Sequence, residues 1–73
     1  MRFPNKQTVE LVRQMYPKGC RVILEHMTDE QAPPVGTIGT VIAVDDVATV
    51  HITWATGSTL GAAYGEDRIR RID

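Results

Sequence analysis

The clearest pattern in the chain runs from Gly36 to Gly57, where two apolar stretches flank an acidic pair. In the second stretch, Val50, Ile52 and Trp54 alternate with threonine and histidine, which is typical of a strand with one buried face. Residues 37–45 predict the strand before it. Asp45-Asp46 predicts the turn between them, because Asp side chains bond to nearby backbone amides. We interpret the whole stretch as the middle hairpin of a small β-barrel.

Ahead of the hairpin, residues 6–16 follow a helical period. Asn5 is predicted to cap the first turn, since its side-chain oxygen can accept from free backbone amides. Pro17 bars the helix from continuing. The apolar side chains recur at spacings of three and four and fall largely on one face: Val9, Leu11, Val12, Met15 and Tyr16. We expect this face to pack on the sheet, after a short lead at residues 1–4.

Three further strands are predicted, at about 20–27, 58–63 and 68–72. In the first of these, Ile23 interrupts the polar face, which suggests that the helix covers that side. Pro33-Pro34 indicates a stiff, extended loop ahead of a turn. Gly39 lies inside the second strand, where a glycine predicts a bulge or sharp bend that curls the sheet.

Together these elements predict a mainly β fold: a small five-stranded SH3-like barrel with one N-terminal α-helix. Short strands with turn signals between them favour this architecture over an OB-like barrel, whose strands run longer. The prediction is a single domain over 1–73, with the helix at about 6–16 and the strands within 20–72.

Composition narrows the function further. The chain has 73 residues, one cysteine and a formal net charge of -1, so no internal disulfide can form. Overall attraction to nucleic acid or to anionic lipid is not expected at this charge. No apolar run reaches the ~18 residues that a membrane helix needs, and the N-terminus lacks a secretory signal pattern. We therefore expect a cytoplasmic protein without membrane contact.

One resemblance covers almost the whole chain. The pattern G-x-x-V…P-P-x-G-T-x-G-T-V…W-x-x-G…Y-G-E-D-R is similar to that of an uncharacterised family of small domains carried by bacterial phages and mobile elements. The resemblance implies a biological context and no mechanism. The residues that carry it are Gly19, Val22, Pro33, Pro34, Gly36, Thr37, Gly39, Thr40, Val41, Trp54, Gly57, Tyr64, Gly65, Glu66, Asp67 and Arg68.

Metal binding and catalysis find little support in the pattern. The possible ligands Cys20, His26, His51, Asp45 and Asp46 show no closely spaced pair of the kind structural zinc sites use. Cys20 and His26 would lie about 20 Å apart on an extended strand. A nucleophile also needs a base within hydrogen-bond reach, and strand parity gives His51 no reason to face Cys20. We predict no enzyme, no cofactor and no metal site, and we keep a metal-binding protein as the second alternative.

Nucleic-acid binding is the first alternative. Pairing of the first and last strands of a barrel would bring together five basic residues that could contact phosphates. Nearby Glu25, Glu66, Asp67 and Asp73 are expected to neutralise part of that patch. The five residues are Lys18, Arg21, Arg68, Arg70 and Arg71.

A non-enzymatic protein-interaction module is the preferred prediction. Acidic loops can receive the basic side chains of a peptide, although the two acidic loops here could lie at opposite ends of the second strand. Trp54 is expected in the core, with an interface role as the alternative. The candidate binding residues are Asp29, Glu30, Asp45, Asp46 and Tyr64.

The partner would be a host protein or another copy of the chain, and the protein itself a monomer or weak homo-oligomer. The phage context adds a narrower hypothesis, an anti-CRISPR-like inhibitor that binds a host macromolecule such as a defence nuclease.

Overall fold

The computed structural model describes residues 5–73, so the predicted lead at 1–4 lies outside it. Helix α1 spans Lys6–Met15, one residue shorter than predicted. The predicted cap is confirmed: the Asn5 side chain accepts a hydrogen bond from the Thr8 amide at 2.8 Å. Tyr16 is the C-cap residue of the helix, and Pro17 prevents the helix from continuing.

Five strands follow in the predicted order, and the predicted strand regions are confirmed within one or two residues. They are β1 (Arg21–His26), β2 (Ile38–Val44), β3 (Thr49–Trp54), β4 (Thr59–Ala63) and β5 (Arg68–Arg71). All pairings are antiparallel, and the strands lie in the order β4-β3-β2-β1-β5. The predicted pairing of the first and last strands is therefore confirmed, with Ile23 opposite Arg70.

The fold of residues 5–73 is mainly β, and its sheet is not closed. Its end strands, β4 and β5, do not pair with each other, and they are joined by a short turn over residues 64–67. The part of the prediction that is confirmed is one helix on a five-stranded antiparallel sheet.

The core lies between the helix and one face of the sheet. Trp54 is 1% exposed, so the prediction that it is a core residue is confirmed. Its ring nitrogen donates to the Leu60 carbonyl at 3.2 Å, which satisfies the polar atom of a buried indole. The buried cluster consists of Val9, Val12, Cys20, Val22, Leu24, Val41, Ala48, Val50, Ile52, Trp54 and Ala62.

Ile23 has a different position from the one expected. The helix residues Val9 and Val12 join the cluster that contains Val22 and Leu24. Ile23 alternates with those two strand residues and so faces the other way. The expectation that the helix covers the Ile23 face is therefore wrong, because the helix packs on the more continuous apolar face of the same strand.

The predicted bulge at Gly39 is also wrong. Gly39 pairs in regular register with Val22 on one side and Trp54 on the other. The register shift of β2 falls instead between Val41 and Ala43. The glycine serves close packing: a Cβ there would lie 2.4 Å from Ile52 Cγ2 and 2.7 Å from Trp54 Cε3.

We predict that Gly39→Ala lowers the free energy of unfolding by about 2 kcal/mol, because the new methyl group overpacks a filled core. Equilibrium urea unfolding measures the change. Thr40→Ala, at the next position, is the control and should stay within about 0.5 kcal/mol, since it is a substitution outside the core cluster. Equal stability of the Gly39→Ala variant and the wild type would contradict the packing of Trp54 over Gly39.

Candidate functional site

A cleft of about 380 Å³ opens where the two end strands of the sheet fail to meet. Tyr16, just after the helix, lines one side, and Ala62 and Ala63 of β4 line another. The turn from Tyr64 to Asp67 and the start of β5 complete it. We call this the tyrosine cleft, lined by Tyr16, Val50, Ala62, Ala63, Tyr64, Gly65, Glu66, Asp67, Arg68 and Ile69.

Tyr16 is held in the cleft wall by the end of the helix. Its amide donates to the Val12 carbonyl at 2.9 Å, and its hydroxyl donates to the Ile69 carbonyl on β5 at 3.4 Å. Burial raises the pKa of the Tyr16 hydroxyl, and the neighbouring Tyr64 adds to this shift. The phenol therefore stays protonated near neutral pH and acts as a donor that joins helix and sheet.

Tyr64 is the exposed aromatic residue of the cleft, with 48% of its surface accessible. Its amide donates to the Ala48 carbonyl at 3.2 Å. The following turn is fixed by the Ala63 carbonyl, which accepts from the amides of Glu66 and Asp67 at 3.1 and 2.9 Å. Asp67 in turn accepts from the Ala63 amide at 2.9 Å. The exposed Tyr64 ring thus stands on a turn that three hydrogen bonds hold in place.

The cleft combines an apolar lining with charged residues. Val50, Ala62 and Ile69 contribute aliphatic surface, while Glu66 and Arg68 contribute one charge of each sign. Within residues 5–73 neither of these two charged side chains has an ion-pair partner. Apolar walls with a few polar groups are typical of sites that take one side chain or small group of a ligand.

The two predicted acidic loops do not share a site. Asp29 and Glu30 are exposed in the loop after β1, where the Asp29 carboxylate accepts from the Gln31 amide at 2.8 Å. Asp45 and Asp46 follow the far end of β2, a strand of seven residues. A strand of that length separates its ends by about 20 Å. A single groove between the acidic loops is therefore absent from residues 5–73, as the spacing suggested.

Asp45 organises a turn. Its carboxylate accepts from the amides of Val47 and Thr49 at 3.0 and 2.9 Å, and it lies 2.9 Å from the His51 ring. Burial opposes ionisation, but the hydrogen bonds from His51, Thr49 and Val47 outweigh it and lower the pKa of Asp45. The same turn presents the Ala48 carbonyl that holds Tyr64. Asp45 thus supports the position of Tyr64 from a distance.

Asp46 is 97% exposed along its side chain and accepts a hydrogen bond from Arg13 of the helix at 2.9 Å. The Arg13 side chain also donates to the Val44 carbonyl at 3.3 Å. Exposed ion pairs contribute little stability and open readily. Asp46 is accordingly available to a partner, whereas Asp45 is engaged by the fold.

The five basic residues lie along β1, β5 and the turn before β1. Arg70 pairs with Glu25, and Arg71 pairs with Asp73, each at 3.1 Å. The pKa of Asp73 is lowered, mainly by the hydrogen bond from the Arg71 side chain. Lys18, Arg21 and Arg68 have no ion-pair partner within residues 5–73. The predicted neutralisation therefore holds for two of the five residues.

The candidate metal ligands do not gather in the described part of the chain. Among residues 5–73, no three His, Cys, Asp or Glu side chains lie close enough to hold a metal ion. Cys20 is buried, and burial raises the pKa of its thiol. The contact between His51 and Asp45 was not expected, since strand alternation placed His51 only on a solvent-facing side.

A family model described as a domain of unknown function (DUF4314) matches residues 5–72. The chain belongs to this family. Its membership confirms the expected match to an uncharacterised family; the SH3-like fold and the phage association stay predictions. No curated protein and no solved structure matches this DUF4314 domain. In the part of it that the structure describes, no helix is long and apolar enough to cross a membrane.

Sequence reasoning found Tyr64 but missed the cleft around it. The sequence places Tyr16 only on the apolar face of the helix, and Glu66 and Arg68 enter only through their charge and the family resemblance. The available signal was weak: both tyrosines of the domain precede a residue that breaks regular structure, Pro17 and Gly65. Nothing in that spacing shows that positions 48 residues apart face one cleft.

We predict that Asp45→Ala lowers the free energy of unfolding by about 1–2 kcal/mol near neutral pH, because two turn amides lose their acceptor. Chemical unfolding at several pH values measures it. Asp45→Asn is the matched variant, since it keeps an acceptor oxygen without the charge.

The pH dependence has a defined sign. A lowered pKa means that the carboxylate contributes stability above its ordinary value of 3.8, and that this contribution is lost as pH falls through the folded-state pKa. The difference in free energy of unfolding between the wild type and Asp45→Asn should therefore become smaller below about pH 4. If that difference stayed constant from pH 7 to about 3, the Asp45 charge would not be what stabilises the turn.

Proposed function

We propose that this DUF4314 domain is a non-enzymatic protein-interaction module built on an SH3-like barrel. Its binding site is the tyrosine cleft, which takes a side chain from an extended segment of a partner protein. The observation that carries the proposal is the half-exposed Tyr64 ring, fixed by a rigid turn beside an apolar cleft.

The strand arrangement supports the SH3-like assignment. Five short antiparallel strands follow one another along the sheet except that the last returns to pair with the first. SH3-like barrels have such an order. The hydroxyl of Tyr16 adds a link to β5 beside the gap between the end strands.

The chemistry of the cleft supports a peptide side chain as the ligand. Tyrosine is enriched at the energetic centres of protein interfaces, because it offers a large apolar surface with a polar tip. Here two tyrosines flank aliphatic side chains, while Glu66 and Arg68 can orient a polar backbone or an opposite charge. Asp29, Glu30 and Asp46, which the sequence also named as candidates, are exposed but lie outside this cleft.

The narrower hypotheses rest on the sequence. Inhibition of a host macromolecule such as a defence nuclease is motivated by small size and by the resemblance to domains of phages and mobile elements. A cytoplasmic location is motivated by the single cysteine, which is buried and free. Both stay predictions that a partner search in the producing cell would test.

We predict that Tyr64→Ala weakens peptide binding at least about tenfold, as expected for an aromatic anchor. The probe is a set of peptides selected from a random displayed library on the immobilised domain, then synthesised and titrated. Leu11→Ala is the matched control, because Leu11 is 49% exposed but lies on the helix outside the cleft. The affinity of the Leu11→Ala variant for the same peptides should stay within about twofold of the wild-type affinity.

Thermal unfolding of both variants establishes that each is folded before the titration. Two results would overturn the proposal: selected peptides that bind the Tyr64→Ala variant as well as the wild type, or a selection that yields no peptide with a Kd below about 100 µM.

Nucleic-acid binding is the second candidate, and one observation favours it: β1 and β5 pair, which places Arg21, Arg68 and their basic neighbours on adjacent strands. Against it stand the ion pairs of Arg70 and Arg71 and a formal net charge of -1.

We therefore predict no retarded band in a mobility-shift assay with single-stranded or double-stranded DNA or RNA at micromolar protein and about 50 mM salt, where phosphate contacts are strongest. A retarded band that disappears in the Arg21→Glu variant would instead support the basic residues as the site.

A further inference from the structure

The outer edge of β4 carries backbone groups without partners. The Trp54 amide donates to the Ser58 carbonyl, and the Tyr64 amide donates to the Ala48 carbonyl. With the register of β3 and β4, these bonds direct the amides and carbonyls of Leu60 and Ala62 toward β3. Those of Thr59 and Gly61 point the opposite way. Within residues 5–73, no hydrogen bond reaches either of these two peptide groups.

The other edge of the sheet is protected. On β5 the Ile69 carbonyl accepts from the Tyr16 hydroxyl, and the Arg71 side chain reaches back to the Met15 carbonyl at 3.5 Å. Three of the four residues of β5 are arginines. Charged residues and covering segments are the usual means of blocking an edge strand. The sequence of β4, TLGAA, contains neither charge nor proline.

The free edge of β4 continues into the tyrosine cleft. Ala63, the last residue of β4, lines the cleft, and its own backbone is satisfied by the turn that follows. A segment that pairs with Thr59 and Gly61 would therefore reach the cleft at the end of the strand. Its side chains alternate in direction, so one of them can enter between Tyr16 and Tyr64.

We propose that the partner segment binds by strand addition: it extends the sheet at β4, hydrogen-bonds to the backbone of Thr59 and Gly61, and inserts one apolar or aromatic side chain into the tyrosine cleft. This inference rests on the proposed function and specifies its ligand as an extended peptide. Backbone pairing gives affinity with little sequence demand, and the cleft supplies the selectivity.

A second copy of the chain fits this edge less well. A five-residue strand is about 17 Å long, so two such edges would touch only along one short ladder. A stable interface needs roughly 1,000 Å². Twofold pairing centred on Gly61 would also place a threonine opposite Ala63, so the cleft would receive no apolar side chain.

The test follows amide hydrogen exchange by NMR in the wild-type domain, with and without a peptide selected from a random displayed library. At saturation, exchange of the Thr59 and Gly61 amides should slow at least about tenfold, because both gain hydrogen bonds. The amides of Leu60 and Ala62 already donate to β3 and serve as internal references.

Two further variants examine the backbone contact. Thr59→Pro removes the outward amide at the first residue of the strand, where proline is tolerated, and should weaken binding at least about tenfold. Thr59→Ala keeps the amide and should bind within about twofold of the wild type. Should Thr59→Pro fail to fold, the same peptide with single N-methyl groups provides the equivalent test. N-methylation of the peptide residues whose amides face β4 should abolish binding. N-methylation of the residues between them, whose amides point away from β4, should not.

The outcomes separate the two proposals. Binding that depends on Tyr64 while Thr59 and Gly61 exchange unchanged would overturn strand addition and leave the cleft as the site. Absence of any selected peptide would overturn both. Protection of the two amides that grows with protein concentration alone, together with a dimer in sedimentation, would identify a second copy as the occupant and overturn the peptide proposal.

Discussion

The packing of Trp54 over Gly39 is the contact on which the rest of the structure depends. The indole occupies the space that a side chain at position 39 would fill. Its ring nitrogen bonds to β4, and Val22 of β1 lies opposite the same glycine. One buried aromatic residue of β3 thus packs on β2 at Gly39 and hydrogen-bonds to β4, while β1 pairs with β2 at the same glycine. In a domain this small, where residues 5–73 include 11 buried hydrophobic residues, an error at this contact would disturb the whole sheet.

The unclosed side of the sheet has two unlike edges, and this difference gives the domain its candidate function. The helix ends beside β5, where the Tyr16 hydroxyl donates to the Ile69 carbonyl and Arg71 donates to the Met15 carbonyl. It leaves β4 uncovered. The cleft forms between these edges because the turn at 64–67 joins β4 to β5 without pairing them along their length. In the proposed strand addition, a bound peptide would extend the sheet at β4 and supply hydrogen bonds that the fold itself leaves unmade.

Charge is a poor guide to the binding surface of this domain. Asp29, Asp45 and Asp67 each accept backbone amides at turns, and Arg70 and Arg71 are paired with neighbouring carboxylates. Such residues have a structural role that a count of charges does not reveal. Part of each charged cluster of the sequence is therefore engaged by the fold, while the cleft combines tyrosine and aliphatic side chains with a few charged ones.

The amino-acid sequence by itself determined the secondary structure, since Asn5, Pro17, the alternation through Trp54 and the glycine turns act on neighbouring residues. Through the expected barrel it also predicted that β1 and β5 pair, and it named Tyr64 as a candidate binding residue. Only the tertiary structure decided what Gly39 does, which side of β1 the helix covers, and that Tyr16 meets Tyr64 across a gap. These depend on which faces of distant elements come together. Local periodicity gives the direction of a side chain within its own element, but the neighbour it meets is set by the packing of the whole core.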